Sequence, residues 1–221
     1  MAATTIGAIK QGADDASLVR KVLEAVMFIA PKSVSLPSSI TTGGSTPALD
    51  EVPSGFLPVG MVSPEGYSIS REVESEGIEA LGYASEVRLD TMSVERSISF
   101  TPLESFKRHM LELKYGMDLS AIDPDSETGE IVFDEPSLPF NDQWRVLLIG
   151  ADGPADAQWI MGFGFPNAQF DSSAEEAWAR EGAKADALTI KILDDTDEGT
   201  AVRHYIGGTG VKSKIDDIWP S

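Results

Sequence analysis

Along most of this chain apolar residues recur at every second position, the period of a strand with one buried face, and one stretch alone has the period of an amphipathic helix. The apolar segment from Val22 to Ile29, stopped by Pro31, predicts a strand over residues 25–30, because Val, Phe and Ile cluster there. Two short strands are expected at 57–62 and 67–70 about a Pro64-Glu65-Gly66 turn, where Gly supplies a positive φ. From Val87 the alternation resumes with a change of parity: Val87 and Leu89 fall on one side, Met92, Val94, Ile98 and Phe100 on the other. A β-bulge or sharp bend near residues 90–92 produces such a switch.

Thr101-Pro102-Leu103-Glu104 then combines a capping box with Pro at the first helical position, two independent start signals. Leu103, Phe106, Met110 and Leu113 follow at helical spacing, so a helix is expected over residues 102–115, ended by Gly116. Beyond it, Trp144, Val146 and Leu148 alternate with Arg145, Leu147 and Ile149, which predicts a central strand apolar on both faces. Trp159, Met161, Phe163 and Phe165 alternate with Ile160, Gly162 and Gly164, and the glycine face implies close approach of another backbone. The turn Ala151-Asp152-Gly153-Pro154 makes these two a hairpin. Further strands are expected at 188–193 and, on an outer edge, 201–206.

Three stretches lack any period. Residues 31–55 hold four Pro and a Gly43-Gly44 pair and read as a long loop. Residues 71–86 read as an acidic ribbon or protruding loop. Residues 117–142 form an acidic loop: between Lys114 and Arg145 lie Asp118, Asp123, Asp125, Glu127, Glu130, Asp134, Glu135 and Asp142 with no base. Residues 1–21 read as an N-terminal arm with one helical turn at 17–21 capped by Asp14 or Asp15, and residues 207–221 as a flexible C-terminal arm. With no βαβ alternation and no repeat, the expected fold is α+β and mainly β. It is an antiparallel sandwich or barrel of two packed or curled sheets, with one principal flanking helix and a single domain over residues 22–206.

Composition narrows the function. A chain of 221 residues buries roughly 70% of its unfolded surface without staples, and the absence of Cys excludes disulfides and thiolate metal sites. The net charge of -19 opposes any tight grip on nucleic acid, which needs clustered Lys and Arg. No apolar run approaches the ~20 residues of a membrane helix, and no basic-then-apolar leader opens the chain; a soluble, unprocessed protein is expected.

Candidate chemistry is sparse. His109 falls on the polar flank of the predicted helix and His204 in an edge strand. With no Cys nucleophile and no Gly-x-Ser-x-Gly elbow, a catalytic triad has no support. Asp123-x-Asp125-x-Glu127 begins like a calcium loop, but Thr128 stands where Gly is required and Asp134 where Glu is. Gly207-Gly208-Thr209-Gly210 lacks the Lys-Ser/Thr pair and following helix of a phosphate cradle. No enzyme activity, metal or cofactor is expected. Two other classes compete: a carbohydrate- or ligand-binding β-domain using Trp144, Trp159 or Trp178 as a platform, and a hydrolase using paired carboxylates such as Glu72, Glu74 and Glu76.

The order of segments carries a resemblance. A short strand, then Met61-Val62-Ser63-Pro64-Glu65-Gly66-Tyr67-Ser68-Ile69-Ser70, an acidic run over residues 71–79, a strand ending Ser97-Ile98-Ser99-Phe100-Thr101, and a helix ending Leu111-Glu112-Leu113-Lys114-Tyr115-Gly116 together resemble the major tail tube proteins of long-tailed bacteriophages. Ala25-Val26-Met27-Phe28-Ile29-Ala30-Pro31 is similar to their N-terminal strand and residues 186–195 to their last main strand. The likeness covers roughly residues 22–206, in pattern and order. It implies a β-sandwich or barrel, made in the host cytoplasm and built into the virion, in which six copies form a ring and rings stack into a tube. It also implies contacts with the tape measure, tail terminator and baseplate proteins, passage of viral DNA without specific binding, and no membrane. A tail terminator or baseplate ring protein is the alternative within that class. On this reading the 31–55 loop and the 71–86 ribbon make ring-to-ring contacts and order on assembly. Glu72, Glu74, Glu76, Glu79, Glu86 and Asp90 then line the lumen or the assembly contacts.

Overall fold

The computed structural model describes residues 5–140, 142–176, 178, 180 and 184–220. Its fold is mainly β: eight antiparallel strands joined in one sheet, with few and short helices. The strands are β1 (Glu24–Pro31), β2 (Leu57–Pro58), β3 (Val62–Ile78), β4 (Arg88–Pro102), β5 (Trp144–Asp152), β6 (Trp159–Ser173), β7 (Leu188–Ile192) and β8 (Arg203–Gly207). Their order is β2-β1-β5-β6-β7-β4-β3, with β8 also paired to β6. The long β6 explains the shape. Its first half pairs with β5 and β8, its second with β7, and the sheet doubles back on itself there. One core cluster therefore joins Met27 and Ile29 of β1 to Ile98 and Phe100 of β4, with Val146, Phe165 and Ile190 between them.

The predicted 25–30, 144–149, 159–165, 188–193 and 201–206 strands are all present. β5 lies between β1 and β6 and is buried along seven consecutive residues, as expected of a strand apolar on both faces. Arg145 in that run is neutralised by Glu198 at 2.8 Å and donates through Nε to the Lys32 carbonyl. Gly162 and Gly164 do sit where neighbours come close. A Cβ on Gly162 would lie 2.9 Å from Ile40 Cδ1 and 3.1 Å from the Leu148 carbonyl oxygen, and one on Gly164 would lie 3.0 Å from Tyr205 Oη. Side chains, more than a backbone, fill the space.

Several expectations need correction. The helix α2 spans Arg108–Tyr115, not 102–115. Thr101 and Pro102 continue β4, Pro102 opposite Val62, and the Leu103 N–H donates to the Met61 carbonyl at 2.8 Å. Glu104, the acidic half of the capping box, accepts from the Met61 N–H at 2.8 Å and pairs with Lys107. Strand pairing to residues 61–62 thus takes the groups that would have capped a helix. Met110 and Leu113 are buried, but Phe106 is 72% exposed. Gly116 closes the helix in the left-handed conformation, φ 58°, as predicted.

The 57–62 and 67–70 strands about a turn are replaced by a two-residue β2 and by β3, which runs unbroken through residues 64–66 with a register shift between Val62 and Tyr67. Gly66, at φ 71°, serves an irregularity within a strand. The N-terminal stretch holds a helix α1, Ile6–Ala13, as well as a 3₁₀ turn at Ala16–Leu18 whose N-cap Asp15 accepts from the Ser17 N–H. The C-terminal arm is folded too. Helices α3 (Thr209–Ser213) and α4 (Ile215–Ile218) follow Gly208, and the Gln158 N–H donates to Thr209 Oγ1. No described helix is long and apolar enough to cross a membrane.

The 31–55 loop also differs from expectation. It lies against its own chain: Leu36, Ile40 and Phe56 are buried with Leu147, Ile149, Ile160 and Tyr205 in a second core on the outer face of β5 and β6. The Pro37 carbonyl accepts from Tyr205 Oη at 2.6 Å, and Thr41 and Leu49 form a bridge within the loop. Leu36 and Ile40 were legible only as scattered apolar residues in a Pro-rich segment.

Candidate functional site

β3 and β4 continue together well past the rest of the sheet. β7 pairs with residues 96–100 of β4, so beyond Arg71 and Arg96 the two strands pair, among the described residues, with each other alone, for seven residues of β3 or roughly 23 Å. The tip spans residues 79–87. The acidic 71–86 segment, expected as a ribbon or loop, is thus one strand of a two-stranded hairpin up to Ile78, with a single bulge.

The register sorts its residues by face. Glu72 lies opposite Glu95, Glu74 opposite Ser93 and Glu76 opposite Asp90. Met92 is the extra residue of a bulge facing Glu74 and Ser75, within the 90–92 stretch where a bulge or sharp bend was expected. Strand alternation puts Glu72, Glu74, Glu76, Asp90 and Glu95 on the face continuous with Ser68, Ser70, Ser97 and Ser99. The opposite face leads from Tyr67, Ile69, Phe100 and Ile98 through Arg71 and Arg96 to Val73 and Val94. Four of the six predicted acids therefore share one surface. The others do not: the Glu86 carboxylate lies over Gly77, on the other face, where a Cβ would collide with it, and Glu79 falls beyond the paired strands.

Few cations balance this face. Ser93 Oγ donates to Glu74 (3.2 Å), Arg88 pairs with Asp90 (2.8 Å), and Lys191 reaches Glu95 (3.3 Å). Like charges directly opposite on a sheet destabilise it, and a lone two-stranded ribbon is marginal in water. Its apolar side chains are also unsheltered: Leu81, Tyr83, Leu89 and Met92 are all exposed. A hairpin of this length, with these residues, has the makeup of an interaction element. Among the described residues β3 has no strand partner along its outer edge, which leaves a row of ladder groups open.

The other candidates fare differently. The His109 Nε2–H donates to the Pro58 carbonyl at 2.9 Å, anchoring α2 to β2, and burial lowers its pKa. His204 stands edge-on to Phe163. Trp144 and Trp159 are buried, and Arg20 stacks on Trp159 at 4.2 Å; of the proposed platform only Trp178 is exposed. Asp125 uses its carboxylate on the backbone N–H groups of Glu127 and Thr128 and on Thr128 Oγ1, which closes the turn and lowers its pKa. Among the described residues no three His, Asp or Glu cluster as metal ligands do.

Sequence reasoning passed over Glu95, which needed only the bulge-corrected register to be placed beside Glu72, and the Arg71–Arg96 pair on the opposite face. No protein-family model and no curated protein matches the sequence.

Proposed function

We propose that this chain is a structural, non-enzymatic subunit of a bacteriophage tail, which assembles with copies of itself into rings that stack as a tube around passing DNA. The observation that carries the reading is the β3–β4 hairpin. It is an unsupported arm with open strand edges, carrying Glu72, Glu74, Glu76, Asp90 and Glu95 on one face. The segment order that resembles major tail tube proteins supplies the class, and six copies per ring come from that resemblance.

Physics supports the fit. An open edge and a projecting ribbon are completed by neighbours in a ring with a head-to-tail interface. Carboxylates facing a bore offer phosphates no counterion-releasing partner, so DNA slides past; with a Debye length of ~8 Å in physiological salt, repulsion near the wall persists. Tape measure, tail terminator and baseplate proteins are the partners such a tube requires.

Negative-stain microscopy of the concentrated protein tests the reading. Rings or open-ended tubes with a central hole are expected. Rings that never stack point to a terminator or baseplate component instead, and a strictly monomeric field at all concentrations overturns the proposal.

A further inference from the structure

The face of the hairpin away from the acids carries two arginines. Arg71 and Arg96 stand directly opposite each other, an arrangement that repels. The sequence holds 36 acidic residues, yet no ion pair joins either arginine to an acid among the described residues. Both line a cavity of about 720 Å³ together with Ile69, Phe163, Thr200 and His204. Asp194 and Asp195 also border it, neither with an ion pair to an arginine, and Asp195 is held by Lys32 at 3.5 Å. A second cavity of about 430 Å³ shares Ile69 and Phe163 and continues past Leu148 and Met161 to Val22 and Leu23. Sharing Ile69 and Phe163, the two form a trough beneath the hairpin base, apolar at one end and holding the Arg71–Arg96 pair at the other.

A complementary segment exists on the same chain. Residues 130–135, Glu130-Ile131-Val132-Phe133-Asp134-Glu135, set three apolar residues between acids. They form no strand or helix, and Ile131 and Val132 are 54% and 70% exposed. The ring of Phe133 rests against Tyr115 at the end of α2, 5.8 Å between centroids, which holds this strap on its own molecule and leaves Ile131 and Val132 facing outward. Extended, six residues span ~20 Å.

We propose that the 130–135 strap of one copy docks in the trough of a second copy, with Asp134 and Glu135 on the Arg71–Arg96 pair and Ile131 and Val132 along Ile69 and Phe163. The contact is heterologous, so repetition closes a ring or extends a stack. It rests on the self-assembly reading above and names the surfaces by which copies would meet. It also gives a chain of charge -19 a local attraction that offsets the general repulsion between copies.

Charge reversal tests it. The pair Arg71→Glu/Arg96→Glu and the pair Asp134→Arg/Glu135→Arg are each expected to raise the concentration needed for assembly by roughly tenfold or more. All four changes together should restore most of it. Circular dichroism and thermal melting confirm that each variant folds. Assembly of the arginine variant at the wild-type concentration, or no rescue in the fourfold variant, overturns the contact. Because the chain has no Cys, thiols report proximity directly: a mixture of Val132→Cys and Thr200→Cys proteins should form disulfide-linked pairs at least roughly tenfold faster than Leu138→Cys with Thr200→Cys. Equal rates overturn the contact. Rings formed by the arginine variant would leave the tube reading standing and remove this contact, whereas fast cross-linking without any ring would do the reverse.

Discussion

Glu72 and Glu95 face each other across the hairpin with one cation, Lys191, 3.3 Å from Glu95. Side-chain packing does not account for two carboxylates in that position, since the face is exposed and apolar residues were available to the same ribbon. Their local effect is unfavourable by about 0.5 kcal/mol. Glu72→Gln should therefore slow amide exchange over residues 72–76 and 90–95 by roughly twofold at low ionic strength, and 1 M salt should abolish the difference. Exchange unchanged at low salt would show that the two carboxylates do not oppose each other in solution.

At the scale of elements, the 31–55 loop shows how a segment without period becomes part of the core. Ile40 reaches into the space left by Gly162, and Leu36 comes within reach of Gly164. Ile40→Ala removes a buried side chain from a site whose opposite wall is backbone and cannot collapse, and should lower stability by about 2–3 kcal/mol in urea denaturation. A loss under about 0.5 kcal/mol would mean that the loop does not pack on β5 and β6. The hydrophobic pattern could not reveal this, because the complementary partner is a pair of glycines more than 120 residues away. The late start of α2 has the same origin. Thr101-Pro102-Leu103-Glu104 is a sound local signal, overruled when Met61 bonds to Leu103 and Glu104.

For the molecule as a whole, acid is the informative perturbation. Lys114, and then Lys184, hold Glu176 down to about 2. Burial pushes Asp195 up, but the N–H groups of Glu198 and Asp197 together with Lys32 bring it below the usual carboxylate range. A carboxylate whose folded pKa is depressed leaves the native state with fewer protons than the unfolded chain. Its contribution is present above the unfolded pKa and lost as pH falls through the folded one. The melting temperature should accordingly hold near neutrality and fall progressively from about pH 4.5 to about pH 2. Glu176→Gln should flatten the lower part of that fall. A melting temperature unchanged down to pH 2.5 would remove these pairs from the stability of the fold.

The sequence by itself determined what depends on neighbours two to four residues apart: most of the strands, an irregularity near residues 90–92, the glycine end of α2, the mainly β class and the acidic ribbon. Alternation and helical spacing are local properties, and they survive folding. Only the tertiary structure decided which residues share a surface. It joined the strands into one doubled sheet through β6, folded both terminal stretches, and buried Trp144 and Trp159. It also separated Glu86 from the other acids and set Arg71 beside Arg96. Each of these turns on pairing across long separations, where register and competing hydrogen-bond partners outweigh local preference.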